Sequence, residues 1–275
     1  VAAMNLQETY GFNDWRLPNR KELFGLVSHA RINPCLPKGH PFANVFAGYY
    51  WTSTTVVRLP RQAWYVHLGG GRVVKGMKHG SYMIWPVRGR SGGLVQIPRS
   101  GQKECYDTLG RSQPCASSGQ DGACQEGSPW PEPRFVTLGG TVLDSLTGLV
   151  WTKEADCTSK AVNWEWALDT IREMNSRNTH GHDDWRLPNM RELESLTDMG
   201  SHSPALPRGN PFQTVQPFYW SSTTSTYDPQ YAWGLYLEDG TVGVAFKKDT
   251  GFHVWAVRDG QCGDQQNRLA KRFIG

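Results

Sequence analysis

The sequence predicts an α+β fold made of two tandem copies of one domain, in which short antiparallel strands outnumber helices. The chain has 275 residues, enough for two hydrophobic cores. It contains 30 Gly, 17 Pro and 12 Trp, a composition typical of many turns and large aromatic anchors. An eleven-residue motif also occurs twice, which indicates a duplication.

The repeated motif begins at Asn13 and again at Asp183. Residues 13–23 read NDWRLPNRKEL, and residues 183–193 read DDWRLPNMREL. Further matches follow at a spacing of 169 or 170 residues: Tyr50-Trp51 with Tyr219-Trp220, Ala63-Trp64 with Ala232-Trp233, and 85–88 with 255–258. Such a long period indicates tandem domains, because solenoid units span about 20 to 50 residues.

The repeat divides the chain into four parts: copy one (1–89), a linker (90–133), copy two (134–260) and a C-terminal tail (261–275). The linker contains three of the six cysteines, which favours a disulfide-stapled loop over a flexible spacer. A strand and a helix precede the motif in copy two, whereas Val1 aligns inside the last turns of that helix. We therefore expect the natural polypeptide to extend upstream of Val1.

The same local elements are predicted in both copies. Asn19 and Asn189 are typical N-caps, and Glu22 and Glu192 complete a capping box at the third helical position. In copy two alone, a strand over 141–152 and a helix after Asn163 come first. β-Branched and aromatic stretches between Gly-rich turns then predict antiparallel strands, in copy one near 51, 63–68, 72–77 and 82–87.

The cysteine pattern indicates disulfides and an oxidising compartment. No Cys-x-x-Cys pair is present, so zinc ribbons and thioredoxin-like sites lack their ligands. Cys105 and Cys115 enclose only nine residues, and we predict that they pair. The other four are expected to be oxidised, with their pairing left open: Cys35, Cys124, Cys157 and Cys262.

The ordered motifs resemble the Legionella collagen-like protein C-terminal domain family. The resemblance rests on four segments of copy two, of which the last three have counterparts in copy one: 147–151 (TGLVW), 184–188 (DWRLP), 219–222 (YWSS) and 254–258 (VWAVR). It implies two C-type-lectin-like domains, each a twisted antiparallel sheet with two helices and long loops. It also implies extracellular binding, with acidic glycans as a known ligand class.

Charge is distributed unevenly along the chain. Residues 1–99 contain thirteen Lys and Arg but three Asp and Glu, although the whole chain carries a formal net charge of +4. One interpretation is a polyanion-binding face formed by six cations: Arg58, Arg61, Arg72, Lys75, Lys78 and Arg88. The alternative is that basic copy one docks on acidic copy two or on a neighbouring chain.

Other motifs carry weaker signals. Tyr227 and Tyr231 lie in the copy-two loop that aligns with the basic loop at Arg58, and they are candidates for stacking on sugar rings. His180 and His182 could serve as metal ligands, but copy one has Tyr and Phe there, so no metal site is predicted. We find no nucleophile, base or cofactor motif and predict no catalytic residue and no cofactor.

These observations predict a secreted, non-enzymatic binding or adhesion protein. The expected partner is an acidic polysaccharide or a protein, with a homo- or hetero-oligomer as a further possibility. Nucleic acid is not expected, and no apolar run is long enough for membrane insertion. The alternative function is a structural subunit of an extracellular assembly that binds protein neighbours.

Overall fold

The computed structural model describes residues 1–89 and 96–260. Five α-helices are present in these ranges: α1 (Ala2–Leu6), α2 (Arg20–Gly25), α3 (Asp121–Cys124), α4 (Trp164–Ser176) and α5 (Met190–Ser195). Short 3-10 turns lie at Thr9–Gly11 and Thr179–Gly181. The fold is therefore mixed, mostly antiparallel and poor in helix, as the composition predicted.

Strands account for most of the regular structure. Copy one contains β1 (Tyr49–Thr55), β2 (Gln62–His67) and β3 (Val73–Met77), and the linker contains β4 (Cys105–Tyr106) and β5 (Ser112–Gln113). Copy two contains β6 (Phe135–Leu138), β7 (Thr141–Asp144), β8 (Leu149–Thr152), β9 (Phe218–Thr224), β10 (Tyr231–Tyr236), β11 (Thr241–Phe246) and β12 (Val257–Asp259).

Strands from both copies form one six-stranded antiparallel sheet, in the order β1-β2-β3-β11-β10-β9. The copies meet where β3 pairs with β11, and the residue opposite Val73 is Val242, its own counterpart in the repeat. Pairing of equivalent residues across an antiparallel junction is the signature of a local two-fold axis. Without this junction, β3 and β11 would each lie at an open edge of the sheet of their own copy.

The predicted helix caps are present in both copies. The Asn19 side chain accepts a hydrogen bond from the Glu22 amide at 2.9 Å, and a Glu22 carboxylate oxygen accepts one from the Asn19 amide at 2.8 Å. Asn189 and Glu192 repeat this capping box. Arg16 then binds the Glu22 carboxylate with both terminal nitrogens, at 2.7 and 2.6 Å.

Two strand predictions were too simple. The strand predicted over 141–152 is a hairpin, since β7 and β8 pair on either side of a turn in which Gly148 has a φ of +75°. The strand predicted over 82–87 consists of isolated bridges at Met83 and Val87. Both stretches have the composition of a strand. Whether such a stretch forms one strand, a hairpin or isolated bridges depends on where the chain turns and on which strands lie beside it.

A single core joins the two copies. It contains the buried faces of α2 and α5 and the inward side chains of the six-stranded sheet, including Trp64 and Trp233. A second cluster lies within copy two only, where α4 packs Ala167 and Ile171 against the outward side of the sheet. The sheet is therefore covered on one side along its whole width and on the other side by α4 in copy two.

Buried charges cross the boundary between the copies. Glu194 of α5 lies 2.7 Å from Arg20 Nη1 and 3.0 Å from Lys21 Nζ of α2, and all three side chains are nearly inaccessible. Burial lowers the pKa of Lys21 to about 8, opposed by the Glu194 charge. Two of the excess cations of copy one, Arg20 and Lys21, are thus paired with an acidic residue of copy two where the two copies pack together.

No helix in residues 1–89 or 96–260 is long and apolar enough to cross a membrane.

Candidate functional site

The outward side of the six-stranded sheet differs between the copies. In copy two, Trp220 of β9 is fully buried beneath the segment that leads into α4, and its indole N–H donates to the Val162 carbonyl at 2.8 Å. Trp164, the first residue of α4, donates its own indole N–H to the Ser221 carbonyl at 2.8 Å. Copy two therefore closes this side with a polypeptide segment.

In copy one the same side carries a cluster of aromatic rings that we call the aromatic face. It consists of five side chains from β1, β2 and the segment after β3: Tyr49, Trp51, Tyr65, His67 and Tyr82. Ring centroids lie 4.9 Å apart for Tyr49 and Tyr65, 4.9 Å for Tyr65 and Tyr82, and 4.7 Å for Trp51 and Tyr82. Tyr49 is 42% exposed, whereas Trp51 is half-buried.

Copy two has aromatic side chains at four of the five equivalent positions, and the Tyr65 ring is the one that has no counterpart. Tyr65 aligns with Gly234 of copy two, where a Cβ atom would lie 2.6 Å from the ring of Phe252. Tyr82 aligns with Phe252, which is buried under α4. Copy one thus places a large ring where copy two requires no side chain.

The linker bounds one end of the aromatic face. Lys78 donates to the Tyr106 carbonyl at 2.7 Å, and burial lowers the pKa of Lys78 to about 8, opposed by the nearby Asp107 charge. Its counterpart Lys247 lies over the Trp164 ring at 4.1 Å. The two copies therefore use the same lysine against different covering segments, and a cavity of about 440 Å³ remains between Trp51 and the linker.

Five of the six predicted polyanion-binding cations have partners within the chain. Arg58 lies 2.5 Å from Glu238, and Lys75 pairs with Asp239. The two carboxylates belong to copy two. Arg61 donates to the Leu109 carbonyl at 3.0 Å, Lys78 binds Tyr106, and Arg88 pairs with Asp14 at 2.8 Å. The structure does not bring these six side chains together as one open surface.

Arg72 is the exception among the six. It is exposed and has no ion-pair partner in the part of the chain that the structure describes. It follows the β2–β3 turn, and its carbonyl accepts the His67 amide at 2.8 Å. Cross-strand partners lie on the same side of a sheet, so the Arg72 side chain is on the side of the aromatic face. Burial lowers the pKa of His67, and the nearby Arg72 charge lowers it further.

The two tyrosines predicted to stack on sugars are in different environments. Tyr227 is 75% exposed, whereas the Tyr231 ring packs edge-on against Phe246 with centroids 5.4 Å apart. Their loop contacts copy one, because Thr226 donates to the His29 carbonyl at 2.5 Å. Tyr227 alone offers an accessible ring.

The predicted Cys105–Cys115 disulfide is confirmed. The expectation that the remaining cysteines are oxidised is wrong for the three described, because Cys35, Cys124 and Cys157 are free thiols. Burial raises the pKa of Cys35 to about 11, so its thiol stays protonated at neutral pH. Cys262 and the C-terminal tail, 261–275, lie outside the described residues.

The histidines considered as metal ligands pack against an aromatic side chain. His180 and His182 approach the Trp185 ring edge-on, with centroids 6.3 and 6.1 Å away. No group of three or more His, Cys, Asp or Glu within residues 1–89 and 96–260 is placed to hold a metal ion.

Sequence reasoning missed Tyr49, Tyr65 and Tyr82. The usable signal was a difference between the copies: position 65 is Tyr where copy two has Gly234. A side chain that large, replacing a glycine on an outward strand position, cannot be part of the shared packing.

Comparison with known proteins agrees with this two-part organisation. Residues 1–88 and 140–258 match the model of the Lcl C-terminal domain family, together well over half of the chain. The chain belongs to this family. No curated protein matches it. The two matched segments of the Lcl C-terminal domain correspond to copy one and copy two, and membership indicates an adhesin-like surface protein.

Proposed function

We propose that this Lcl C-terminal domain protein is a secreted, non-enzymatic adhesin-like protein with two C-type-lectin-like copies. Its ligand is an acidic glycan, held at the aromatic face of copy one. The observation that carries the proposal is the Tyr65 ring within the aromatic face, at a position where copy two has Gly234.

The chemistry of the aromatic face suits a charged sugar polymer. Tyr49 and Tyr65 offer apolar ring surface with a polar hydroxyl tip, which matches the mixed apolar and hydroxylated faces of a sugar ring. Arg72 stands beside His67 with its guanidinium free for a carboxylate or sulfate group, which it can bind through two parallel hydrogen bonds. Because the Arg72 guanidinium binds such a group in a fixed geometry, the interaction is directional as well as electrostatic.

A second candidate function is that of a structural subunit in an extracellular assembly. One observation favours it: the equivalent side of copy two is covered by α4, an amphipathic helix with buried Ala167 and Ile171. A helix of a neighbouring protein could cover the aromatic face in the same way. Its contacts would be apolar, so its binding would depend little on salt.

The test is binding of the intact protein to dextran sulfate, with uncharged dextran as the reference polymer. We expect dextran sulfate to bind and to lose affinity as salt rises, because charge attraction is screened over about 8 Å at physiological ionic strength. Tyr65→Ala and Arg72→Ser should each weaken binding by about tenfold or more. Arg208→Ser, an exposed arginine of copy two, is the matched control and should bind like the parent.

The outcomes separate the candidates. If Arg72→Ser and Arg208→Ser lose the same affinity for dextran sulfate, the binding is nonspecific charge attraction and the proposed site is rejected. Absence of dextran sulfate binding, combined with salt-independent self-association that Tyr65→Ala abolishes, would favour the structural subunit.

A further inference from the structure

The linker docks on a defined polar surface of copy one, which we call the linker footprint. Three residues of copy one carry it: Asn19, Thr54 and Thr55. The side-chain nitrogen of Asn19 donates to the Glu126 carbonyl at 3.0 Å, and the Thr54 hydroxyl donates to the Asp121 carboxylate at 2.6 Å. All three footprint residues are at most 1% exposed as a result.

Thr55 completes the footprint through its backbone. Its amide donates to the Gln102 side-chain oxygen at 2.8 Å, and its carbonyl accepts from the Gln102 side-chain nitrogen at 2.8 Å. Its hydroxyl donates to the Gln120 side chain at 3.1 Å. A carboxamide that binds both backbone groups of one residue imitates the next strand of a sheet.

Copy two contains the same three residues at the equivalent positions: Asn189, Thr223 and Thr224. There Asn189 is exposed, and the two threonines are half-buried. No acceptor within residues 1–89 and 96–260 lies at hydrogen-bond distance from the Asn189 side-chain nitrogen, and the Thr223 hydroxyl donates to none. Within the described residues, the Asn189 and Thr223 donors thus have no partner like the linker of copy one.

Helix capping explains only part of this shared chemistry. Asn189 caps α5 with its side-chain oxygen, and the Thr223 hydroxyl oxygen accepts the Met190 amide at 3.0 Å, as Thr54 accepts the Arg20 amide at 2.9 Å. In these capping contacts the side chains of asparagine and threonine act only as hydrogen-bond acceptors. The amide nitrogen of asparagine and the hydroxyl hydrogen of threonine remain for a second partner, and in copy one that partner is the linker.

We propose that Asn189, Thr223 and Thr224 form a docking surface for a peptide segment of another polypeptide, one that presents an acidic side chain at the start of a helical turn together with a carboxamide. The occupant's chemistry is read from the linker, where Asp121 opens α3 and the carboxamide of the preceding Gln120 accepts from the Thr55 hydroxyl. An open groove of about 630 Å³, lined partly by Asn189 and Ser222, adjoins this surface and gives the segment room.

The surface does not reproduce the whole linker contact. Lys247, the counterpart of Lys78, is occupied by the Trp164 ring and by the Thr224 hydroxyl at 2.8 Å. The place of the β4–β5 hairpin is therefore taken by α4 in copy two. The occupant is accordingly a segment that resembles α3 with the preceding Gln120, without a hairpin.

The test uses the intact protein and a synthetic acetylated peptide of residues 116–128, followed by amide shifts in NMR. We expect saturable shifts centred on Asn189 and Thr223. Thr223→Val should weaken peptide binding by about tenfold or more, since it removes a charge-assisted hydrogen bond. A peptide carrying Asp121→Asn should lose affinity to a similar extent.

Thr147→Val, at an exposed position in the turn between β7 and β8, is the matched control and should leave the affinity unchanged. Shifts centred on Thr54 instead would mean that the peptide displaces the resident linker, which contradicts the proposal. No saturable shift at millimolar peptide would also overturn it. Because dextran sulfate is absent from this experiment, its result is independent of the proposed glycan site.

Discussion

At the scale of single residues, burial changes the chemistry of a carboxyl group in the linker. Asp121 is 1% exposed and accepts hydrogen bonds from Thr54 and Ser100, each at 2.6 Å. Burial raises the pKa of Asp121 to about 6, although both hydroxyls favour the ionised form. The nearby Glu22 charge raises the pKa further, and the Arg16 charge lowers it. This group therefore titrates in a mildly acidic range.

Asp121 should make the fold more stable at mildly acidic pH. Its pKa is higher in the folded chain than the usual 3.8, so the folded state binds the proton more tightly. Its contribution is fully present below about pH 4 and is lost as the pH rises to about 6. Relative to Asp121→Asn, the parent should lose about 2 kcal/mol of unfolding free energy between pH 4 and pH 7.

Urea unfolding at both pH values measures this difference. Asp107→Asn is the matched control, because hydrogen bonds from the Arg111 amide and side chain lower the pKa of Asp107, opposed by the effect of burial. Its pH dependence relative to the parent should have the opposite sign. A parallel pH dependence in the parent and in Asp121→Asn would contradict the prediction.

At the scale of elements, the two capped helices α2 and α5 carry different residues on equivalent faces. Arg20 and Lys21 of α2 align with Met190 and Arg191 of α5, and Glu194 aligns with Phe24. The buried ion pairs between Glu194 and the two cations are therefore possible in one direction only. The helices dock as a charged pair of unlike partners, although their caps and lengths are the same.

Glu194→Gln should destabilise the protein by about 3 to 5 kcal/mol, because it leaves two buried cations without their anion. Chemical denaturation measures the change. Glu173→Gln is the control, since the Glu173–Arg177 pair is exposed and should contribute about 1 kcal/mol or less. Similar losses in the two variants would show that the buried pair has no special weight.

At the scale of the whole molecule, the shared sheet and shared core make the two copies structurally dependent on each other. Val73 pairs with Val242 across the junction, and the common core contains Leu23 of copy one and Leu235 of copy two. The division into domains 1–89 and 134–260 follows the duplication of the sequence. Whether the two also unfold separately is a question of energetics that the duplication does not answer.

We expect the copies to unfold together. Leu23→Ala in copy one should cost about 2 to 5 kcal/mol and should lower hydrogen-exchange protection in β10 of copy two as well as in β2. Leu59→Ala, at an exposed position, should leave both unchanged. Full protection of β10 in Leu23→Ala would show two independent domains.

The sequence by itself determined the duplication, the capped helices after Asn19 and Asn189, the mostly antiparallel strands, the Cys105–Cys115 pair and the family. These features depend on local chemistry or on short loops, which a repeat displays twice. Only the tertiary structure decided which cations have partners and which of the described cysteines are free. Lys75 meets Asp239 and Thr54 meets Asp121 across 164 and 67 residues, and no local pattern predicts contacts over such distances. The sequence shows which groups the two copies share, and the fold determines which of them already have partners.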